Sequence, residues 1–266
     1  MAPTTTDDVL VALDRIVERA KQEGDRTGYF AALYHAVTVR VKEGIERGFF
    51  DDGPLMESLD AAFAVRYLDA LEAWRRGGRL TRSWEVTFEA ATRRRPIVLQ
   101  HLLVAINAHI NLDLGIAAAR VSPGQALASL RRDFDRINEI LASMVLEVRR
   151  NLGSVSPWIG FLDRVGGARG DVLINFSVRV ARREAWRFAE RLAPIPPDRQ
   201  ATLIRNRDLE VAELAGRVLH PGALSSGLLV IRLREGRNVS GNIDALRHVE
   251  PPRLEEVEAR MGDEVA

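Results

Sequence analysis

A stretch near the middle of the chain, QHLLVAINAHINLDLG at 100–115, carries histidine, asparagine and aspartate in an otherwise apolar surround. Within it, His109 and Asp113 are four residues apart, which places them on one face of a helix. That spacing suits two metal ligands, or a carboxylate that orients an imidazole for proton transfer. The alternative is a buried ion pair or hydrogen bond that only fixes the register of the helix.

Two further histidines could complete a site around this pair. His101 lies two turns before His109 on an adjoining face, and His35 lies in an apolar helix predicted at 29–46. We expect His35, His101, His109 and Asp113 to converge as metal ligands, with His109 and Asp113 also acting in catalysis. Imidazole ligands would favour iron, manganese or zinc over calcium. Because neither HExxH nor a pair of ExxH motifs is present, the sequence leaves open whether a divalent metal binds.

Asn107 and Asn111 form a second polar stripe that, at about 100° per residue, faces nearly away from the histidines. We interpret this stripe as a hydrogen-bond latch to neighbouring helices, and binding of a substrate is the alternative. Arg66, in the apolar segment AAFAVRYLDAL, is predicted to pair with a buried carboxylate such as Asp69 or Asp113. Its alternative role is to bind an anionic group of a substrate.

Helices must position these residues. N-capping residues, apolar positions at helical spacing, and Gly or Pro stops predict an all-α fold: a single-domain multi-helix bundle around a buried central helix at about 96–120. The segment 228–236 alternates like a strand but has no partner strand, and is interpreted as helix or extended loop. The other predicted helices cover the residues after Thr5 up to Gly24, then 29–46, 54–74, 84–93, the residues after Pro123, 172–192, 198–219 and 240–249.

The whole chain, 1–266, is predicted to be one helical domain. Its parts are an N-terminal helix (1–24), a core bundle with the polar motif (25–150), a second helical half (151–250) that begins with a looser segment at 151–170, and a charged tail (251–266).

Composition narrows the classes of function. The 266 residues are 46% hydrophobic, enough for a sizeable core, and 38 basic against 37 acidic residues do not give the charge of a nucleic-acid binder. The absence of cysteine excludes disulfides and thiolate chemistry. No secretory signal is recognised, so a cytoplasmic location is the default expectation. The polar groups within 96–119 argue against a membrane span.

The segment QHLLVAINAHINLDLG, together with YHAVT, RYLDAL, DFDRIN and AWRFAE, resembles a bacterial family catalogued as domain of unknown function 5995. The resemblance covers about 25–250, and its sharpest motif is NAHINLDLG at 107–115. It implies no activity. It does imply that the polar residues of this helix belong to one motif together with two more histidines, namely Asn107, His109, Asn111, Asp113, His35 and His101.

Two functions from different classes remain open. The first is an intracellular enzyme, with or without a metal, that acts on a small organic molecule in a cavity between the central helix and the helices at 29–46 and 54–74. The second is a non-catalytic helical module that binds a small ligand or a partner protein, with buried polar groups that serve only stability. Neither reaction type nor oligomeric state follows from the sequence.

Overall fold

The computed structural model describes residues 2–138, 140–141, 178–222, 232, 235 and 238–248, and in this part of the chain every regular element is a helix. The predicted all-α multi-helix fold is therefore confirmed. The helices are α1 (Thr6–Glu23), α2 (Gly28–Glu46), α3 (Gly53–Arg75), α4 (Arg82–Thr92), α5 (Val98–Ala108), α6 (Gly115–Val121), α7 (127–138), α8 (Val178–Leu192), α9 (Ala201–Leu219) and α10 (Val239–Arg247).

Local signals in the sequence explain where the first helices begin and end. Thr5 and Asp8 form a capping box at the start of α1, because the Thr5 side chain accepts from the Asp8 N–H and the Asp8 carboxylate accepts from the Thr5 N–H. Gly24 ends α1 in the left-handed conformation at a φ of 64°. At α3, the side chain of Asp52 accepts from the Leu55 N–H. These helices lie within one or two residues of their predicted positions.

The central helix is continuous but has three parts. Between α5 and α6, residues His109–Leu114 form a π-helical segment, which the sequence did not predict. The predicted start was also slightly wrong: Pro96 is not the first helical residue. The helix begins at Val98, because the Gln100 side chain accepts from the Ile97 N–H and the Glu235 carboxylate accepts from the Val98 N–H.

The central helix lies in the middle of the bundle. Helices α2, α4 and α9 pack against α5, and α3 and α8 pack against α6. One apolar cluster surrounds the first half of the central helix and a second surrounds the other half. Gly115 is required where α8 crosses, because a Cβ at that position would lie 2.7 Å from the carbonyl oxygen of Ala185.

Among the described residues, one helical stretch, Val98–Val121, is long and apolar enough by composition to cross a membrane, with a mean hydropathy of 1.5. In its most apolar window, 94% of the residues are buried inside the protein. The other helices of the bundle therefore already cover its apolar surface.

Several predictions fall on residues outside those that the structure describes. They are the looser segment at 151–170, the start of the helix predicted at 172–192, most of the segment 228–236, and the charged tail at 251–266.

Candidate functional site

Asp113 lies near the end of the π segment with no exposed surface, and two side chains bind its carboxylate. The Nε of Arg66 donates to Oδ1 at 2.6 Å, and the indole Nε1 of Trp84 donates to Oδ2 at 2.8 Å. Burial alone would raise the pKa of Asp113, but Arg66, His109 and Trp84 together outweigh burial and hold that pKa below its ordinary value. Asp113 is therefore a buried anion with its partners in place.

His109 is enclosed by aromatic rings next to Asp113. Its imidazole stacks on Phe63 with ring centroids 3.5 Å apart and planes 13° apart. Neither ring nitrogen has a hydrogen-bond partner, and Nδ1 lies 3.9 Å from Oδ2 of Asp113, which is longer than a hydrogen bond. Burial lowers the pKa of His109, against the opposing effect of Asp113. The other rings of the shell belong to Phe30, Tyr34, Tyr67 and Trp84.

We call Arg66, Trp84, His109 and Asp113 the buried centre. Arg66 binds Asp113 as the sequence predicted, and its Nε is used by that contact. His109 and Asp113 do lie side by side, but the aromatic shell leaves the His109 residue only 3% exposed. A substrate has no direct access to the predicted catalytic pair in this conformation.

Asn107 and Asn111 join the central helix to α9. The Nδ2 of Asn107 donates to the carbonyl oxygen of Val211, and the Nδ2 of Asn111 donates to Oδ1 of Asn107. Arg207 of α9 in turn donates from Nε to the carbonyl oxygen of Asn111. These contacts are those of an interhelical latch, and they use polar atoms that substrate binding would need.

His35 and His101 do not join His109 and Asp113 in one cluster of ligating side chains. The Nε2 of His35 is 3.2 Å from Oδ1 of Asp14, an aspartate of α1. In the described part of the chain, no group of three or more His, Cys, Asp or Glu side chains is placed to hold a metal ion. The expected convergence of His35, His101, His109 and Asp113 is absent, because α2 presents His35 to α1. These four residues do not form the predicted metal site.

An open cleft of about 710 Å³ lies at the start of the central helix. The loop between α4 and α5 supplies three consecutive arginines, Arg93–Arg95, and the turn between α1 and α2 supplies Arg26. We call this the arginine cleft. Five arginines and one acidic residue are among its lining residues, which are Gly24, Arg26, Tyr29, Arg93, Arg94, Arg95, Pro96, Val98, His101, Arg232, Glu235, Val239 and Asn242.

His101, in the first turn of α5, is one of the residues that line the arginine cleft. The residue is only 5% exposed, and neither ring nitrogen has a hydrogen-bond partner. Burial lowers the pKa of His101 to about 3; Arg26 lowers it further and the nearby carbonyl of Pro96 opposes the shift. The imidazole is therefore neutral at pH 7 and presents one donor and one acceptor.

Sequence reasoning missed the indole of Trp84 as a partner of Asp113, the aromatic shell of His109, and the arginine cleft. One signal was present: the run Arg93-Arg94-Arg95 directly before Pro96, which ends six residues before His101. Such a run is usually a solvated surface. Only the fold reveals that Arg26 from the α1–α2 turn lies beside it.

The fold and these sites define an all-α protein with a polar motif at the middle of its central helix and a basic cleft at the start of that helix. The profile of a family described as "Family of unknown function (DUF5995)" matches residues 6–221. The chain therefore belongs to that family, as its NAHINLDLG motif indicated. Comparisons with curated proteins and with solved structures gave no match.

Proposed function

We propose that the protein binds a small organic anion in the arginine cleft. The observation that carries this proposal is the combination of five arginines with a buried, unpartnered His101 around one cleft. Its volume of about 710 Å³ falls within the roughly 300–1,000 Å³ typical of small-molecule pockets. A ligand of that size could contact the arginines and His101 together.

The chemistry of the lining favours an anion. Guanidinium groups bind carboxylates and phosphates through paired, charge-assisted hydrogen bonds. One carboxylate already lies in the cleft: Oε1 and Oε2 of Glu235 each lie 3.1 Å from the Val98 N–H at the start of α5. A helix N-terminus and several arginines together therefore provide a favourable environment for negative charge.

Of the two functions that the sequence leaves open, this cleft favours the binding module over the enzyme. A general base works best when its pKa lies near the working pH. The pKa of His101, at about 3, makes its imidazole a weak base but a good neutral hydrogen-bonding group. The buried centre contributes stability in this proposal, because the carboxylate of Asp113 is bound by Arg66 and Trp84.

Isothermal titration calorimetry tests the proposal with inorganic phosphate, short-chain carboxylates and short alkyl phosphates. We expect at least one of these anions to bind, and the double variant Arg94→Glu/Arg95→Glu to weaken that binding at least about tenfold, since each charge-assisted contact contributes more than about 1.4 kcal/mol. Higher salt should weaken binding to the wild-type protein.

The matched control is Arg75→Glu/Arg79→Glu, which reverses two exposed arginines that do not line the cleft. Its affinity for the same anion should stay near that of the wild-type protein. Equal weakening in both double variants would indicate a nonspecific effect of net charge and would overturn the proposed site, as would the absence of any binding.

A further inference from the structure

A second, much smaller cavity shares two lining residues with the arginine cleft. We call it the inner cavity, and its volume is about 20 Å³. His101 and Arg26 line both the inner cavity and the arginine cleft, so these two side chains stand between the two spaces. The remaining lining residues of the inner cavity are Thr27, Phe30, Tyr67, Trp84, Thr87, Phe88, Ala91 and Ala105.

The size of the inner cavity limits what can enter it. A single water-sized group needs at least about 10–15 Å³, so the volume of about 20 Å³ accepts one such group and excludes a ring or a charged headgroup. A hydroxyl, a carbonyl oxygen and a methyl group all have suitable dimensions. Size does not distinguish the polar candidates from the apolar one, but the polar atoms in the lining do.

Much of the lining is apolar, but its unpartnered polar atoms favour a polar group. Both ring nitrogens of His101 and the hydroxyl of Tyr67 are buried without a hydrogen-bond partner. A methyl group would leave these atoms unpaired, whereas a hydroxyl could donate to one and accept from another. The single hydroxyl proton of Thr87 is already shared between the carbonyl oxygens of Ser83 and Val104, so Thr87 does not donate to a group in the cavity. Of the two unpartnered side chains, His101 and Tyr67, His101 is the one that also lines the arginine cleft.

We infer that the inner cavity is a subsite of the arginine cleft for one uncharged group, in which His101 recognises a hydroxyl group of the bound anion. The ligand class is then a short hydroxylated organic anion: a carboxylate or phosphate group for the arginines, and a hydroxyl a few bonds away for His101. This inference rests on the proposed function. It adds the requirement that the ligand carry a hydroxyl group, which anion binding alone does not impose.

The test compares matched pairs of anions by calorimetry. Butyrate is compared with its 2-, 3- and 4-hydroxy derivatives, and propyl phosphate with 2- and 3-hydroxypropyl phosphate. We expect at least one hydroxylated member to bind about tenfold more tightly than its parent, because a satisfied buried group replaces an unpaired one. His101→Phe keeps a ring of similar size and should bring that ratio to about one.

The arginine variant provides the matched control, because Arg94→Glu/Arg95→Glu should weaken both members of each pair by a similar factor. A measurement on the wild-type protein covers the case in which His101→Phe does not fold. In ¹⁵N NMR, the ring nitrogens of His101 should shift more with the hydroxylated anion than with its parent.

The outcomes separate the two proposals. Anion binding without a hydroxyl preference would overturn this inference and leave the proposed function standing, as would a preference that persists in His101→Phe. Equal ¹⁵N shifts with both members of a pair would also count against it. If none of the anions binds, the proposed function fails and the inference fails with it.

Discussion

The buried centre and the arginine cleft lie on the same central helix, yet their polar groups are arranged in opposite ways. In the buried centre, Asp113 has no exposed surface and binds Arg66 and Trp84. At the cleft, His101 is nearly as buried, but its nitrogens have no partner and it borders an open space. A buried polar side chain therefore indicates a ligand site only when its hydrogen-bonding capacity is unused and a ligand can reach it.

His109 is the residue that makes this comparison informative. Its nitrogens are unpartnered, as are those of His101, but aromatic rings surround it and none of the cavities described above has it in its lining. Edge-to-face contacts with rings such as those of Phe30 and Tyr34 give the imidazole weak electrostatic compensation. Access therefore distinguishes the two histidines more clearly than burial does.

The largest effect should follow from removing the charge at the buried centre. Asp113→Asn leaves the guanidinium of Arg66 and the indole N–H of Trp84 without their anion. Removing one partner of a buried pair costs about 3–5 kcal/mol, so we expect the free energy of unfolding to fall by about that amount in chemical denaturation. Asp135→Asn is the control, because Asp135 pairs with Arg131 on the surface with half-exposed side chains. It should cost less than about 1 kcal/mol.

Anion binding at the cleft should survive in Asp113→Asn under conditions where the variant is folded. A destabilisation no larger than that of Asp135→Asn would show that the buried centre is not structural. Loss of anion binding in the folded variant would indicate that the buried centre and the arginine cleft form one functional site.

The second-largest expected effect is the contribution of His101 to the pH dependence of the free energy of unfolding. Because the pKa of His101 is about 3 in the folded protein and about 6.5 when unfolded, the unfolded state takes up a proton first as the pH falls. His101 therefore destabilises the fold below about pH 6.5, by about 1.4 kcal/mol per pH unit. As the pH falls from 6.5 to 4.5, the free energy of unfolding of His101→Phe should rise by about 2–3 kcal/mol relative to that of the wild-type protein.

The difference between the two proteins is the quantity to measure, because other buried groups titrate in the same range. Burial raises the pKa of Asp60 to about 7, so acidification stabilises the fold through Asp60 and opposes His101. Both proteins retain Asp60, so its contribution cancels. A constant difference for His101→Phe would contradict the burial of a neutral imidazole.

Much of the fold could be predicted because its signals are local. The capping box at Thr5 and Asp8, the stop at Gly24 and the apolar spacing of the helices depend on neighbouring residues only. The pairing of Arg66 with Asp113 was also predictable, since two opposite charges in apolar segments need partners. The same reasoning anticipated the latch formed by Asn107 and Asn111.

The geometry of the site depends on contacts between helices and on the π segment, and helical periodicity specifies neither. Periodicity places His35 on a buried face of α2 but does not say which helix covers that face, and the covering helix turned out to be α1 with Asp14. The π segment changes the angle between successive residues on the central helix. The angular position predicted for Asp113 was therefore only approximate. The arginine cleft joins Arg26 to Arg93–Arg95 across separate turns, and no local pattern encodes that contact.

The smallest expected change in stability is that of His109→Phe, a variant that compares His109 directly with His101. His109→Phe replaces an imidazole with two unpartnered nitrogens by an apolar ring that can still stack on Phe63. Removing buried polar atoms that have no partner should leave the stability unchanged or raise it, by no more than about 1 kcal/mol. Anion binding should also remain, whereas His101→Phe should lose its hydroxyl preference. A marked loss of stability would indicate that Asp113 depends on His109 for its charge. A loss of ligand binding in folded His109→Phe would instead place His109 in the functional site, as the spacing of His109 and Asp113 first indicated.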